Sequence, residues 1–512
     1  MSWRSNTALK DAAVCLSLAN LYFLRVWRTL LNPERQFHLK VLPAPFDFVV
    51  LFMNIVILSA LMYACLSVAR RWVNERTTST IASVYLLLAC FLISKAYDLE
   101  LIWPNRFRVF LVSVLLFSAL VVWKRPRMAQ QAVRFVGLAL FPCLLVTTMR
   151  SMESVVVRSV QSESTLSAPS RAGDHRDRTA RTALIIFDML DYDLVFDHRM
   201  PDLQLPEFDR LRAESYFAHD VTSPNQWTQA AIPAITTGKL VTSAVPVSTS
   251  DLLLVLKDSS KVRWKEQQTI FSEARNAGMN VGLVGWYHPY CRLFGHVLSS
   301  CDWVCVPSKF DDRVLTAAGI EQAVLEILVD ELVGPAHPKI VEDMLGIQAN
   351  QRRRYIETYR HLLESAARVL TDPTLDLVTI HMPVPHTPAI YDRALQEFTL
   401  SGGDYLDNVA LADRTLGILR RRMEDASLWK DTNILITADH GFRAKGPSEW
   451  HHEPTPLHVP FFLKMAGEPQ HIEDDCSFNT TVIHDLVLAL LKQEIANTEQ
   501  AKEWLDHHQQ YE

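Results

Sequence analysis

The chain has 512 residues, 49% of them apolar or aromatic and 21% charged, with a net charge of −6. That apolar content excludes disorder as the main state, and the lack of a basic excess removes the electrostatic footprint needed to hold nucleic acid. Eight cysteines are too dilute for a disulfide scaffold. The mean hydropathy of +0.05 is high for this length, and the excess sits in the first 150 residues.

Five apolar runs predict an N-terminal α-helical transmembrane bundle over residues 1–150, at about 12–31, 48–69, 80–94, 109–123 and 135–149. A span takes about 20 mostly apolar residues. The later runs reach that length if Arg106, Arg108 and Arg134 snorkel to the interface. Trp3, Trp27, Trp72, Trp103 and Trp123 lie near the ends of the runs, where an aromatic belt forms. Arg70, Arg71 and Arg76 fill one connector, and Lys124, Arg125 and Arg127 another. The connector between runs three and four has no basic residue before Arg106. The positive-inside rule then puts the two basic connectors and the N-terminus in the cytoplasm and the chain after about residue 150 outside. This is the topology of a multi-pass inner (plasma) membrane protein of bacterial type. The first run lacks a small-residue cleavage site and reads as an anchor. Residues 151–181 are polar, rich in Ser and Arg, and read as a linker or juxtamembrane segment.

From residue 182 to 512 the pattern changes. Short buried-strand runs at 183–187, 281–284, 375–380 and 433–437 alternate with helical stretches such as 317–332, 352–370 and 406–422. This alternation predicts an α/β domain with a mainly parallel sheet, whose ligands bind outside the carboxyl ends of the strands.

Polar clusters collect at those ends. Asp188 closes the first run; it suits a metal ligand or a helix cap. Thr228 stands where a helix opens, with its hydroxyl at the positive end, a seat for a nucleophile or for a plain N-cap. Thr222, Thr236 and Thr237 are competing hydroxyls. His381 and His386 share a Pro-rich loop after a strand, which suits a metal or an anionic substrate. The strongest element is Asp439-His440-Gly441 after an apolar strand: a carboxylate and an imidazole for one divalent ion, with Gly allowing a close turn. His458 precedes another apolar run, and His451 and His452 are either ligands or a solvent-exposed pair.

In this order, these residues resemble the alkaline phosphatase superfamily in its sulfatase-like branch, over about 182–465. The sequence YLDNVALADRTLG at 405–417 and the His-Val-Pro at 458–460 add to the likeness. An apolar multi-span region ahead of such a domain resembles the membrane-anchored phosphoethanolamine and phosphoglycerol transferases of lipoteichoic-acid-synthase type. The resemblance implies a metal, zinc or manganese, held by Asp188, Thr228, Asp439 and His440. It makes Thr228 the nucleophile, and it has His381, His386 and His458 contact the transferred group or hold a second metal. Sulfatases present C/S-x-P-x-R, whereas Ser223-Pro224-Asn225-Gln226 runs on without an Arg, which argues against a true sulfatase. The lipid-modifying transferases usually carry Glu at the first ligand position. Asp188 followed by Met189 is closer to the phosphatase and phosphodiesterase pattern.

Cys15, Cys65, Cys90 and Cys143 fall in the apolar runs. Cys291, Cys301, Cys305 and Cys476 fall in the outer domain, where four cysteines permit three complete pairings. Cys291–Cys301 is the expected bridge, with four reduced thiols as the alternative. Trp286-Tyr-His-Pro-Tyr290, just before it, is an aromatic loop that either lines the cleft or packs.

The resulting expectation is a metal-dependent membrane phosphotransferase. It moves a phospho-head-group from a phospholipid donor in the bilayer to an extracytoplasmic glycan or lipid acceptor through a phospho-threonine. A membrane-tethered phosphodiesterase or ester hydrolase is the first rival, and a non-catalytic lipid-sensing scaffold the second.

Overall fold

The computed structural model describes residues 2–40, 42–96, 104–161, 181–305, 347–443 and 455–508. These form two compact units: residues 2–36 with 42–161, and residues 37–40 with 181–305, 347–443 and 455–508. The helical stretch expected at 317–332, and His451 and His452, lie outside the described residues.

The first unit is helical. Among the described residues, three helices are long and apolar enough to cross a membrane: Pro45–Trp72, Glu75–Ser94 and Pro126–Ser154. The first apolar run is broken at Phe23 into Thr7–Tyr22 and Leu24–Leu31, bent by 60°, which makes a fourth span if the pair counts as one. The fourth run lies in the helix Pro104–Lys124, of which Ser113–Lys124 alone is shorter than a span. Among the described residues, three helices, or up to four, are thus long and apolar enough to span, where five runs were expected. Val56, Leu61, Phe117 and Met149 are large apolar side chains left exposed on these helices.

Polar contacts inside this unit explain two departures from the sequence reading. Arg134 turns inward, pairing at 2.7 Å with Asp11, which is buried and also paired with Arg70. Trp27 is buried instead of joining a belt, and its indole N–H donates to Asn20 Oδ1 at 2.9 Å. A buried carboxylate is tolerated only when paired, so Asp11 ties the segments carrying Arg70 and Arg134 to its own.

The second unit is α/β. Its strands in chain order are β1 Arg181–Asp188, β2 Tyr216–Thr222, β3 Val241–Ser248, β4 Asp251–Leu256, β5 Lys261–Arg263, β6 Val281–Trp286 and β7 Ser300–Val304, followed by β8 Leu377–Pro385, β9 Tyr391–Asp392, β10 Glu397–Phe398, β11 Thr432–Ala438, β12 Phe461–Lys464 and β13 Ile472–Asn479. Eight of them make one sheet in the order β13-β2-β12-β11-β1-β8-β6-β7. β11, β1, β8, β6 and β7 pair in parallel. β12 runs antiparallel to both neighbours, β11 and β2, so the sheet is mixed where a mainly parallel one was expected. Parallel neighbours need a long crossover, usually helical. β11 and β12 are joined by a connection with no helix among its described residues, and the chain returns alongside itself.

β1 is buried along its whole length, which is why it reads as an unbroken apolar run. Its one long polar side chain, Arg181, is anchored. The guanidinium donates to the carbonyls of Val369 at 3.0 Å, Leu370 at 2.8 Å and Leu375 at 3.0 Å, closing the C-terminal end of the helix Ile347–Leu370. Arg181→Met keeps the apolar stem and strands these carbonyls. It is expected to remove about 3 kcal/mol of stability, read as a lower denaturation midpoint of the full-length protein in detergent.

Candidate active site

Four adjacent strands deliver the site. β11 ends at Ala438 and hands on to Asp439 and His440. β1 ends at Asp188, next to β11 on one side and β8 on the other. β8 carries His381, and β6 ends at Trp286. Thr228 is the first residue of the helix Thr228–Thr237, which is followed by Gly238 in the left-handed conformation.

Each ligand candidate has one side fixed and one side free. Asp439 Oδ1 accepts from the Met189 amide at 3.0 Å and the His440 amide at 2.8 Å, while its Oδ2 is buried without a partner. Asp188 Oδ2 accepts from the Trp286 indole, and its Oδ1 is likewise buried and unpartnered. His440 Nδ1 faces the Gly441 carbonyl at 2.7 Å and so carries the proton. That leaves the lone pair on Nε2, 3.6 Å from Asp188 Oδ1, 3.6 Å from Asp439 Oδ2 and 3.3 Å from Thr228 Oγ1. Ligand atoms of Asp188, Asp439 and His440 lie within 4.8 Å of one another, all buried. Two unpartnered carboxylate oxygens and an imidazole lone pair converging in a dry site fit a divalent cation, with the Thr228 hydroxyl beside them.

The charge pattern agrees. Burial, then the charge of Asp439, pushes the Asp188 carboxyl up to about 8. Burial drives Asp439 upward, but His440 and His381 together with hydrogen bonds from the Thr228 hydroxyl and the Met189 amide hold that carboxyl below its usual range. His381 is buried, and burial pushes it down to about 4, so it is neutral at pH 7.

One loop orients much of this. Along Trp286–Tyr290, Trp286 holds Asp188. Tyr287 has φ of 76° and donates to Gln229 Oε1 at 3.3 Å. His288 Nε2 lies 3.2 Å from the Thr228 carbonyl, and Tyr290 Oη is 2.9 Å from His381 Nδ1. A disulfide between Cys291 and Cys301 closes the chain just after it. Residues 37–40 brace it from the other side: His38 Nδ1 is 3.2 Å from the Tyr287 carbonyl, and Arg292 donates to the Phe37 and Leu39 carbonyls. Met189 takes a φ of 70°, unusual for a side chain of its size, and that turn aims its amide at Asp439; Tyr405 Oη donates to its carbonyl at 2.7 Å. The motif at 405–417 is scaffolding. Asn408 donates to the His386 and Pro388 carbonyls and accepts from the Ile390 amide, and Asp413 accepts from the Phe208 amide.

The competing hydroxyls are engaged elsewhere. Thr236 and Thr237 bond back to carbonyls of their own helix, and Thr222 accepts from Asn479. His386 is half-buried, with Nδ1 2.6 Å from the Thr387 carbonyl and its ring 6.3 Å from Trp286. His458 is not brought to the cluster. Its Nδ1 lies 2.9 Å from Asp193 Oδ1, its Nε2 2.7 Å from the His219 carbonyl, and its ring stacks on Tyr192 at 4.2 Å. Among the described residues, no cluster of three candidate metal ligands includes His381, His386 or His458. Sequence reasoning missed Trp286 as the partner of Asp188. An aromatic residue at the end of a strand neighbouring the site is the signal that was there to find it.

The family model of type I phosphodiesterase / nucleotide pyrophosphatase matches residues 182–450, more than half of the chain. The chain belongs to that family. It thereby stands in the alkaline phosphatase superfamily, and that membership supports its being an enzyme. Among solved structures, it is similar to murine ectonucleotide pyrophosphatase/phosphodiesterase 5, with 11% identity over 61% of this chain and 95% of that one and a TM-score of 0.38. It is similar to a phosphonate monoester hydrolase from Silicibacter pomeroyi, with 14% identity, 61% and 73% covered and a TM-score of 0.39. An alkaline phosphatase superfamily protein from Vibrio parahaemolyticus shows 16% identity, 61% and 66% covered and a TM-score of 0.37. No curated protein sequence matches the chain.

Two outcomes are expected of this phosphodiesterase-family site. Trp286→Phe keeps an aromatic ring but removes the donor to Asp188. It should weaken divalent-metal affinity about tenfold to a hundredfold, and the cavity and stranded carboxylate oxygen should also lower the melting temperature; unchanged affinity in a chelator-competition titration refutes the role. Metal binding must also displace the Asp188 proton. Apparent manganese affinity should therefore rise about tenfold per pH unit up to about pH 8 and then flatten. Because the folded-state pKa is raised, the metal-free protein loses stability from this group as pH rises through the same range. Calorimetric titration between pH 6 and 9 reads the first effect, and thermal melts without metal read the second.

Proposed function

We propose that this chain is a membrane-anchored, divalent-metal-dependent phosphoryl-transfer enzyme. It would move a phospho-head-group, such as phosphoethanolamine or phosphoglycerol, from a phospholipid to an extracytoplasmic glycan or lipid. The observation that carries the reading is the convergence of Thr228 Oγ1 with the free atoms of Asp188, Asp439 and His440. Zinc or manganese held by Asp188, Asp439, His440 and Thr228 would lower the Thr228 hydroxyl pKa and offset charge on the phosphoryl oxygens.

The chain's own residues supply the rest. Thr228, at a helix N-terminus, presents its oxygen to phosphorus next to amides at the positive end of the dipole. Its Oγ–P bond forms as the bond from phosphorus to the lipid alcohol breaks, and that alcohol leaves with a proton. An acceptor hydroxyl then attacks the phospho-threonine, and Thr228 regains its proton. Neutral His381, fixed by Tyr290, adds no charge to the buried pocket.

The apolar helices support placement at a bilayer. The Cys291–Cys301 bridge supports an oxidising, extracytoplasmic compartment for the α/β unit. With the basic connectors, these support an inner-membrane topology with the N-terminus inside, and a division into a transmembrane region at 1–150, a linker at 151–181 and an enzymatic domain at 182–512.

A second reading, in which water is the acceptor, is favoured by the family match, since that family is described as phosphodiesterases and pyrophosphatases. The scaffold reading leaves buried, unpartnered carboxylate oxygens with no purpose.

The test uses full-length protein in mixed phospholipid vesicles with zinc or manganese, with diacylglycerol and head-group products followed by mass spectrometry. Release by the wild type, and its loss in Thr228→Ala at unchanged metal content, is expected. A head group found on a second lipid or glycan identifies transfer, and a free phospho-head-group identifies hydrolysis. Metal-loaded protein that releases no diacylglycerol refutes the lipid donor, and full turnover by Thr228→Ala refutes the nucleophile.

A further inference from the structure

We infer that Arg443, laid over Trp227, is the residue that grips the non-bridging oxygens of an anionic phosphodiester at Thr228. The inference rests on the phosphoryl-transfer reading above and adds the group that selects the charge of the substrate.

Three observations converge. First, the Arg443 guanidinium carbon lies 4.2 Å from the centre of the Trp227 ring, and Trp227 is the residue immediately before Thr228. The cation therefore stands at the mouth of the helix that carries the nucleophile. Second, Trp227 is 56% exposed, so the platform is open to solvent and not part of the core. Third, among the described residues no carboxylate pairs with Arg443, although most arginines of this unit that touch the interior are paired or bonded to carbonyls, as Arg181, Arg393 and Arg420 are. Its field nevertheless reaches the pocket. Against the burial that raises Asp188 it is the smallest opposing effect, and it adds to the larger effect of burial that lowers His386.

The chemistry fits an oxyanion. A guanidinium held 4.2 Å over an indole by its cation–π contact can still turn its N–H edge to a ligand. That planar edge matches two phosphoryl oxygens. Asp188 and Asp439 leave little net positive charge on the floor even with a divalent ion bound, and a second cation beside that position adds attraction for a charged diester. Arg443 also occupies a different place in the chain from the arginine of the C/S-x-P-x-R motif, which this sequence lacks after Ser223-Pro224. A purely structural Arg443 would act otherwise. It would only offset the two carboxylates, and its removal would then tighten metal binding and leave anion binding alone.

The experiment uses full-length, zinc-loaded protein and two probes: inorganic phosphate binding by calorimetry, and turnover of bis(p-nitrophenyl) phosphate. Arg443→Ala is expected to weaken phosphate binding tenfold to a hundredfold and to raise KM by a similar factor, with metal content and melting temperature retained. Arg443→Lys should recover part of both, because it restores charge without the fork. Trp227→Ala should weaken phosphate binding severalfold by freeing the guanidinium. Phosphate affinity unchanged in Arg443→Ala overturns the assignment, as does a loss accompanied by loss of metal or of melting temperature. A wild type that turns over no diester but binds phosphate through Arg443 would refute the transfer reading and leave the anion site standing.

Discussion

Two carboxylates share one dry pocket, and most of the α/β unit is arranged around that fact. Asp188 and Asp439 sit at the ends of the neighbouring strands β1 and β11, both essentially without solvent. Like charges at that depth cannot both ionise freely. The protein settles one oxygen of each with fixed donors, the Trp286 indole on one side and two backbone amides on the other. The remaining oxygens and the His440 lone pair converge where a divalent cation would compensate them all. The left-handed Met189 and the inward tautomer of His440 follow from the same requirement.

Around that centre lies a second set of contacts whose purpose is orientation. Tyr405 and Asn408, on one helix, reach the Met189 turn and the His386 loop. The loop from Trp286 to Tyr290 touches Asp188, Gln229, Thr228 and His381 in turn. It is anchored by a disulfide at one end and by residues 37–40, which are drawn in sequence from among the apolar helices but pack within the α/β unit. Polar side chains placed by neighbouring rigid elements would need little reorganisation in a reaction. Phosphodiester chemistry rewards this, because the transferred group is handled mainly by position and charge.

Much of the site was legible because it lies in short local motifs. Asp439-His440-Gly441 after an apolar strand, Asp188 at the end of another, and a threonine opening a helix can each be read without knowing the fold. His458 was not legible in the same way. Its neighbours in sequence say nothing of Asp193 or His219, which are more than 200 residues away and take both of its nitrogens. Arg134 and Trp27 were misplaced for the same reason, since their partners Asp11 and Asn20 belong to other helical segments. The direction of β12 depends on how its connection returns to the sheet, and hydrophobic runs carry no direction.

The sequence by itself determined the division into an apolar helical region and an α/β unit, since burial periodicity and composition are local properties. It determined the kinds of chemical group at the strand ends and the superfamily to which they belong. Only the tertiary structure decided which of those groups meet. The convergence of Asp188, Thr228, Asp439 and His440, the Trp286 and Tyr290 supports, and the Arg443–Trp227 pair all join residues distant in the chain or on different elements. Their meeting is set by strand order and register, and by turns such as that at Met189, quantities fixed by the packing of the whole sheet and invisible in any one segment.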